Sequence, residues 1–126
     1  MRDENEIAAI LVDIFYNIHL QYGPGLYESV YEELVCLELK KRSLSFTRQK
    51  GIRVYHEGVD IGLGFIADII VENKVIVEIK SVERLAEVHH KQIITYLRIS
   101  KLKLGLLVNF NVSLIKFGIN RKVNNL

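Results

Sequence analysis

The chain has a single cysteine, Cys36, so no intrachain disulfide can form and a cysteine-rich zinc site is excluded. One proline, no tryptophan and no biased or repeated tract argue against a linker-joined or repeat architecture. No uncharged run approaches the roughly 18 residues that a bilayer-spanning helix needs. The N-terminus, Met1-Arg2-Asp3-Glu4-Asn5-Glu6, is acidic and polar, the reverse of a signal peptide's basic start. These absences together predict a soluble cytoplasmic protein with no membrane role. A strong excess of one charge is also missing: 17 Lys and Arg face 15 Asp and Glu, for a formal charge of +2. That balance permits nucleic-acid binding without arguing for it. What remains is an ordinary globular composition, 49% hydrophobic and 25% charged over 126 residues, enough for one domain spanning 1–126 with a single core.

From Asp3 to Gln21 the apolar residues Ile7, Ile10, Leu11, Ile14, Phe15 and Ile18 form one helical stripe. Gly23-Pro24-Gly25 interrupts it, and a second helix is expected to about Arg42, with Pro24 in its first turn. Phe46 to His56 has β-type alternation and Glu57-Gly58 a turn. Val59 to Val71 and Lys74 to Ser81 read as two further strands, apolar on both faces and so expected in the middle of a covered sheet. Arg84 to Ser100 returns to helical spacing. Leu104 to Phe110 is a buried strand, Val112 to Ile119 a last one, and Asn120 to Leu126 a polar tail expected to fray. The order predicts a mixed α/β fold with a central sheet flanked by helices.

The hairpin carries charges that do not suit a buried sheet. Alternation puts Ile76, Glu78 and Lys80 on one face of their strand, and Ile66, Asp68 and Ile70 on one face of the partner. With a three-residue turn, Glu72 to Lys74, Val71 pairs with Val75, Asp68 lies opposite Glu78 and Ile66 opposite Lys80. Facing carboxylates repel and buried charges are costly. A divalent cation removes the conflict, and an all-oxygen site suits Mg²⁺ or Mn²⁺. The competing reading is a structural ion pair from Lys80 to one carboxylate.

Asp68, nine intervening residues, then Glu78-Ile79-Lys80 after a first helix resembles the PD-(D/E)xK nuclease superfamily. Ala67 stands where that pattern has proline. The segment Gly25-Leu26-Tyr27-Glu28-Ser29-Val30-Tyr31 matches the signature of the bacterial GxxExxY family, and the likeness runs from about Gly23 to Phe110. At three-residue spacing Gly25, Glu28 and Tyr31 are expected along one side of the second helix. The resemblance implies a restriction-endonuclease-like αβββαβ core. It implies Asp68 and Glu78 as metal ligands, the Ile79 carbonyl as a further one, Glu28 as an accessory ligand and Lys80 as a catalytic residue. Gln92-Ile93-Ile94-Thr95-Tyr96 is similar to a Gln-x-x-x-Tyr motif of the exonuclease-like branch. There Gln92 orients water or holds a phosphate, or else ties the helix to the sheet, while Tyr96 is a core residue.

His89 and His90 are adjacent, so on a helix they point about 100° apart and make no chelating pair. His89 borders the expected site and His90 is expected in solvent. The basic residues Arg48, Lys50, Arg53, Lys91, Arg98, Lys101 and Lys103 are phosphate contacts or a solvated face. The implied activity is Mg²⁺- or Mn²⁺-dependent phosphodiester hydrolysis of nucleic acid, DNA ahead of RNA, with a homodimer as one way for so small a chain to build a groove. The alternative is a catalytically silent module of the same fold that binds nucleic acid or a protein partner.

Overall fold

A computed structural model describes residues 1–126. Helix α1 runs Glu4–Tyr22 and opens on a reciprocal cap in which Asp3 accepts the Glu6 N–H at 2.8 Å. Helix α2 runs Glu28–Lys41 and α3 Glu87–Ser100. The strands are β1 Phe46–His56, β2 Val59–Val71, β3 Val75–Lys80, β4 Leu104–Asn109 and β5 Ile119–Val123. They form one mixed sheet in the order β1-β2-β3-β4-β5, antiparallel except for the β3–β4 pair. This is the α/β architecture of a restriction-endonuclease-like core.

The stripe read from α1 is the stripe that buries. Ile7, Leu11, Ile14, Phe15 and Ile18 join Tyr31, Val35 and Leu39 of α2 against Ile69, Val71, Val75, Val77 and Ile79. The other face carries a smaller cluster under α3, built on Phe65, Ala67, Ile70, Ile76 and Leu97. β3, covered on both sides, has no exposed residue. Full cover, expected for β2 and β3, stops short of the outer half of β2, which lies exposed with its partner β1. Those strands are much longer than β3, and their distal hairpin projects beyond the helices, leaving Tyr55, Val59, Ile61 and Leu63 exposed.

Two boundaries differ from expectation for physical reasons. Helix α2 starts at Glu28, not near Pro24, because Gly23 and Gly25 on either side of the proline adopt φ of 67° and 103°, outside the helical region. Gly25 therefore does not share a helix face with Glu28 and Tyr31. The segment expected as a strand from Val112 is instead a loop with a 3₁₀ turn at Ile115–Phe117, and the pairing strand is β5. The residues expected to fray include Asn120 to Val123, which pair with Leu107 to Leu104. An edge strand tolerates their polarity because one side of it faces solvent.

Candidate active site

The β2–β3 hairpin has the three-residue loop that sets its register: Val71 pairs with Val75, Ile70 with Ile76 and Ile69 with Val77. There the ladder ends. Beyond it, side chains take over from the backbone. The Asp68 N–H donates to Glu78 Oε2 at 2.8 Å, and the Ile79 N–H donates to Asp68 Oδ2 at 2.8 Å. Asp68 and Glu78 thus face each other as the register required, but in a seam between opened strands. The backbone pairing that would have set Ile66 opposite Lys80 is absent; both nevertheless line the same cavity.

The seam has a local cause. Ala67 and Ile70 both belong to the cluster under α3, so strict alternation slips between them. Across the β1–β2 ladder from this slip, between the pairs Arg48–Ile69 and Lys50–Ala67, stands Gln49 with φ 48°, a left-handed conformation inside a strand. Asp68 consequently opens onto both sides of the sheet. It lines a cavity of about 410 Å³ with Glu28, Ser29, Glu32, Gln49 and Ile79. It also lines one of about 180 Å³ with Ile66, Glu78, Lys80, His89, Gln92, Ile93, Tyr96 and Leu107.

Electrostatics in the seam are unfavourable for two negative charges. Glu78 is only 9% exposed. Burial and then the Asp68 charge push its carboxyl up to about 8, against the lowering effects of the Asp68 N–H and Lys80. Burial also raises Asp68, with the Ile79 N–H opposing. Tyr96, stacked on Phe65 at 3.9 Å, is raised by burial and by the same two carboxylates. Lys80 enters none of the ion pairs within 4.0 Å, so the structural salt bridge is not made.

The donor chemistry fits a hard divalent cation. Two carboxylates supply oxygens, and a third oxygen is close by. The Lys80 carbonyl accepts from Phe110, the residue just after β4, so in a strand the neighbouring Ile79 N–H and C=O face the other way, into the seam. No three His, Cys, Asp or Glu side chains converge into a ready cage.

Glu28, the first residue of α2, is exposed and accepts the Ser81 N–H at 3.1 Å, tying the helix to the residue after Lys80. Tyr31 is buried, stacks on Phe110 at 4.3 Å, and its hydroxyl donates to the Gly23 carbonyl at 2.6 Å while accepting the Leu26 N–H at 3.2 Å. The Gly-x-x-Glu-x-x-Tyr segment is thereby a clamp holding the loop before α2 against the end of β3. Gln92 is exposed on the wall of the smaller cavity, not enclosed in the apolar stripe of α3. His89 lines that cavity too, and its Nδ1 accepts the Ala86 N–H at 3.0 Å.

Two residues escaped the sequence reading, Glu32 and Gln49. Glu32, 7% exposed, accepts from Arg48 Nη2 at 2.8 Å and Nε at 3.2 Å and from Gln49 at 2.7 Å. Its signal was a carboxylate one turn after Glu28 within the buried stripe of Tyr31, Val35, Cys36 and Leu39. Arg48 and Arg53, read as phosphate contacts or a solvated face, are committed to Glu32 and Glu33 and to Asp60 respectively. A family model for the PD-(D/E)XK nuclease superfamily matches residues 5–122. Comparison with curated proteins and with solved structures yields no match.

Proposed function

From the premise that this chain belongs to the PD-(D/E)XK nuclease superfamily, we propose that it is a divalent-cation-dependent nuclease working at the seam between β2 and β3. Members of the superfamily generally use divalent metals and act on nucleic acid. The observation that carries the reading is the buried Glu78 carboxylate beside the half-buried Asp68 carboxylate, each bonded to the other strand's backbone and neither paired with Lys80. Asp68, Glu78 and the Ile79 carbonyl would hold Mg²⁺ or Mn²⁺, with Glu28, on the α2 side of Asp68, as an accessory ligand. The cation supplies Lewis acidity to the scissile phosphate and lowers the pKa of the attacking water.

The chain's own residues do the rest. Lys80, free of an ion pair, orients the attacking water and offsets charge that builds on the phosphoryl oxygens. Gln92 is exposed on the cavity wall, where its amide can hold that water or a backbone phosphate. The Tyr31 and Glu28 clamps support membership of the GxxExxY family within the superfamily. To the same reading belong a DNA substrate ahead of RNA, a homodimer that completes a groove, and a cytoplasmic setting in keeping with the free, buried Cys36. Cleavage of DNA and RNA with Mn²⁺ by the wild type, Glu78→Ala and Lys80→Ala tests it: both substitutions are expected to abolish cleavage, and undiminished cutting by either variant would remove the assignment.

A second reading, a silent nuclease-fold module that binds nucleic acid or a protein partner, is favoured by the absence of a three-side-chain metal cage and the small net charge. A rise in melting temperature with Mn²⁺ that Asp68→Asn abolishes separates the two.

A further inference from the structure

Gln49 is out of place as a strand residue. It carries a full side chain at φ 48° in the middle of β1, a conformation that side-chain-bearing residues avoid and that persists only where surrounding contacts impose it. Those contacts run through one amide group. Gln49 Nε2 donates to Glu32 Oε1 at 2.7 Å and to Asp68 Oδ1 at 3.3 Å, using both of its protons. Glu32 cannot turn away, because Arg48 holds its other oxygen through Nε and Nη2. The amide cannot flip, because its carbonyl would then confront two carboxylates. With Oδ2 already bound by the Ile79 N–H at 2.8 Å, both Asp68 oxygens are fixed.

We propose that Gln49 is a positioning residue that locks the Asp68 carboxylate in its cation-binding orientation, and that Arg48 and Glu32 serve to lock Gln49. The inference rests on the reading of Asp68 as a metal ligand. It assigns the strained backbone a purpose: the φ of Gln49 carries its side chain across to α2 and Asp68 together, and the slip in β2 that opens the seam lies opposite it. Partners that orient a ligand from behind typically change metal affinity 10- to 100-fold when removed.

The test uses Gln49→Gly and Gln49→Met, with Mn²⁺ binding followed by electron paramagnetic resonance and metal-free melting measured in parallel. Glycine relieves the positive φ and methionine keeps the length while deleting both donors. Each variant is expected to bind Mn²⁺ about 10-fold or more weakly than wild type. Without metal the glycine variant should melt higher than the methionine variant, since both lose the donors to Glu32 and Asp68 and only glycine relieves the positive φ. Wild-type affinity in both variants, or folding lost in both, overturns the proposal while leaving the nuclease reading standing. Should wild type show no Mn²⁺ binding that Asp68→Asn removes, the site reading fails and this inference falls with it.

Discussion

The Asp68 N–H points at the Glu78 carboxylate, 2.8 Å from Oε2, so the backbone of one acidic residue holds the side chain of the other. This bond favours a charged Glu78 but does not overcome burial and the neighbouring Asp68 charge, which leave the carboxyl at about 8. In the unfolded chain the group titrates near its ordinary value of 4.5. Between those values the folded protein binds the proton and the unfolded chain does not. Stability from this group is therefore complete below about pH 4.5 and lost as pH rises through 8. Metal-free protein is expected to lose up to about 1.4 kcal/mol per pH unit across that window from this single proton. Asp68 adds to the trend because its carboxyl is raised as well. Glu78→Gln should flatten the profile, as should saturating Mn²⁺; melting curves from pH 5 to 8.5 decide it.

Lys80 lowers both carboxyl groups through its charge yet makes no ion pair. Replacing it with methionine removes no salt bridge, so the stability change at pH 6 is expected to stay below about 1 kcal/mol. The pH profile should move to higher pH, because Glu78 loses a favourable charge. Mn²⁺-dependent cleavage should fall about 100-fold or more. A large stability loss with unchanged cleavage would restore the structural role for Lys80.

Tyr31→Phe keeps the stack on Phe110 and deletes only the hydroxyl that bridges Gly23 and Leu26. The expected cost is about 1 kcal/mol, the order of one lost hydrogen bond with a carbonyl left to water. The more specific sign is faster amide exchange at Leu26, whose N–H loses its acceptor. Ser81, whose hydroxyl donates to the Leu26 carbonyl at 2.7 Å, should loosen with it. Exchange rates at Leu26 and Ser81 measured by NMR test this clamp directly.

Much of this fold was legible because its signals are local. The α1 stripe, the strands and the three-residue loop follow from apolar periodicity and turn residues, and the loop set the register that brought Asp68 opposite Glu78. The misread features depend on contacts far along the chain. Nothing near Pro24 announces that the Tyr31 hydroxyl will hold Gly23 and Leu26 in a non-helical loop. Glu32 was hidden because a carboxylate in an apolar stripe becomes tolerable only when Arg48 and Gln49, on another element, satisfy it. The polarity of Asn120 to Lys122 suggested a tail, since propensity does not reveal that β4 offers them an open edge.

β5 covers the free edge of β4 over Leu104 to Val108, and the following Asn124 ties down the loop between α3 and β4: its N–H donates to the Lys103 carbonyl at 2.8 Å and its Nδ2 to the Leu102 carbonyl at 3.1 Å. A chain ending at Gly118 loses that ladder together with these bonds, at about 1 kcal/mol each. It also exposes an apolar strand edge prone to pairing with other chains. The expected loss exceeds about 3 kcal/mol, enough to unfold or aggregate a domain of ordinary marginal stability. Removing only Asn125 and Leu126 leaves the strand and the Asn124 bonds intact and should cost little. Urea denaturation of the two truncations discriminates the cases: equal midpoints would mean that β5 contributes nothing to the sheet that positions Lys80 beside Asn109.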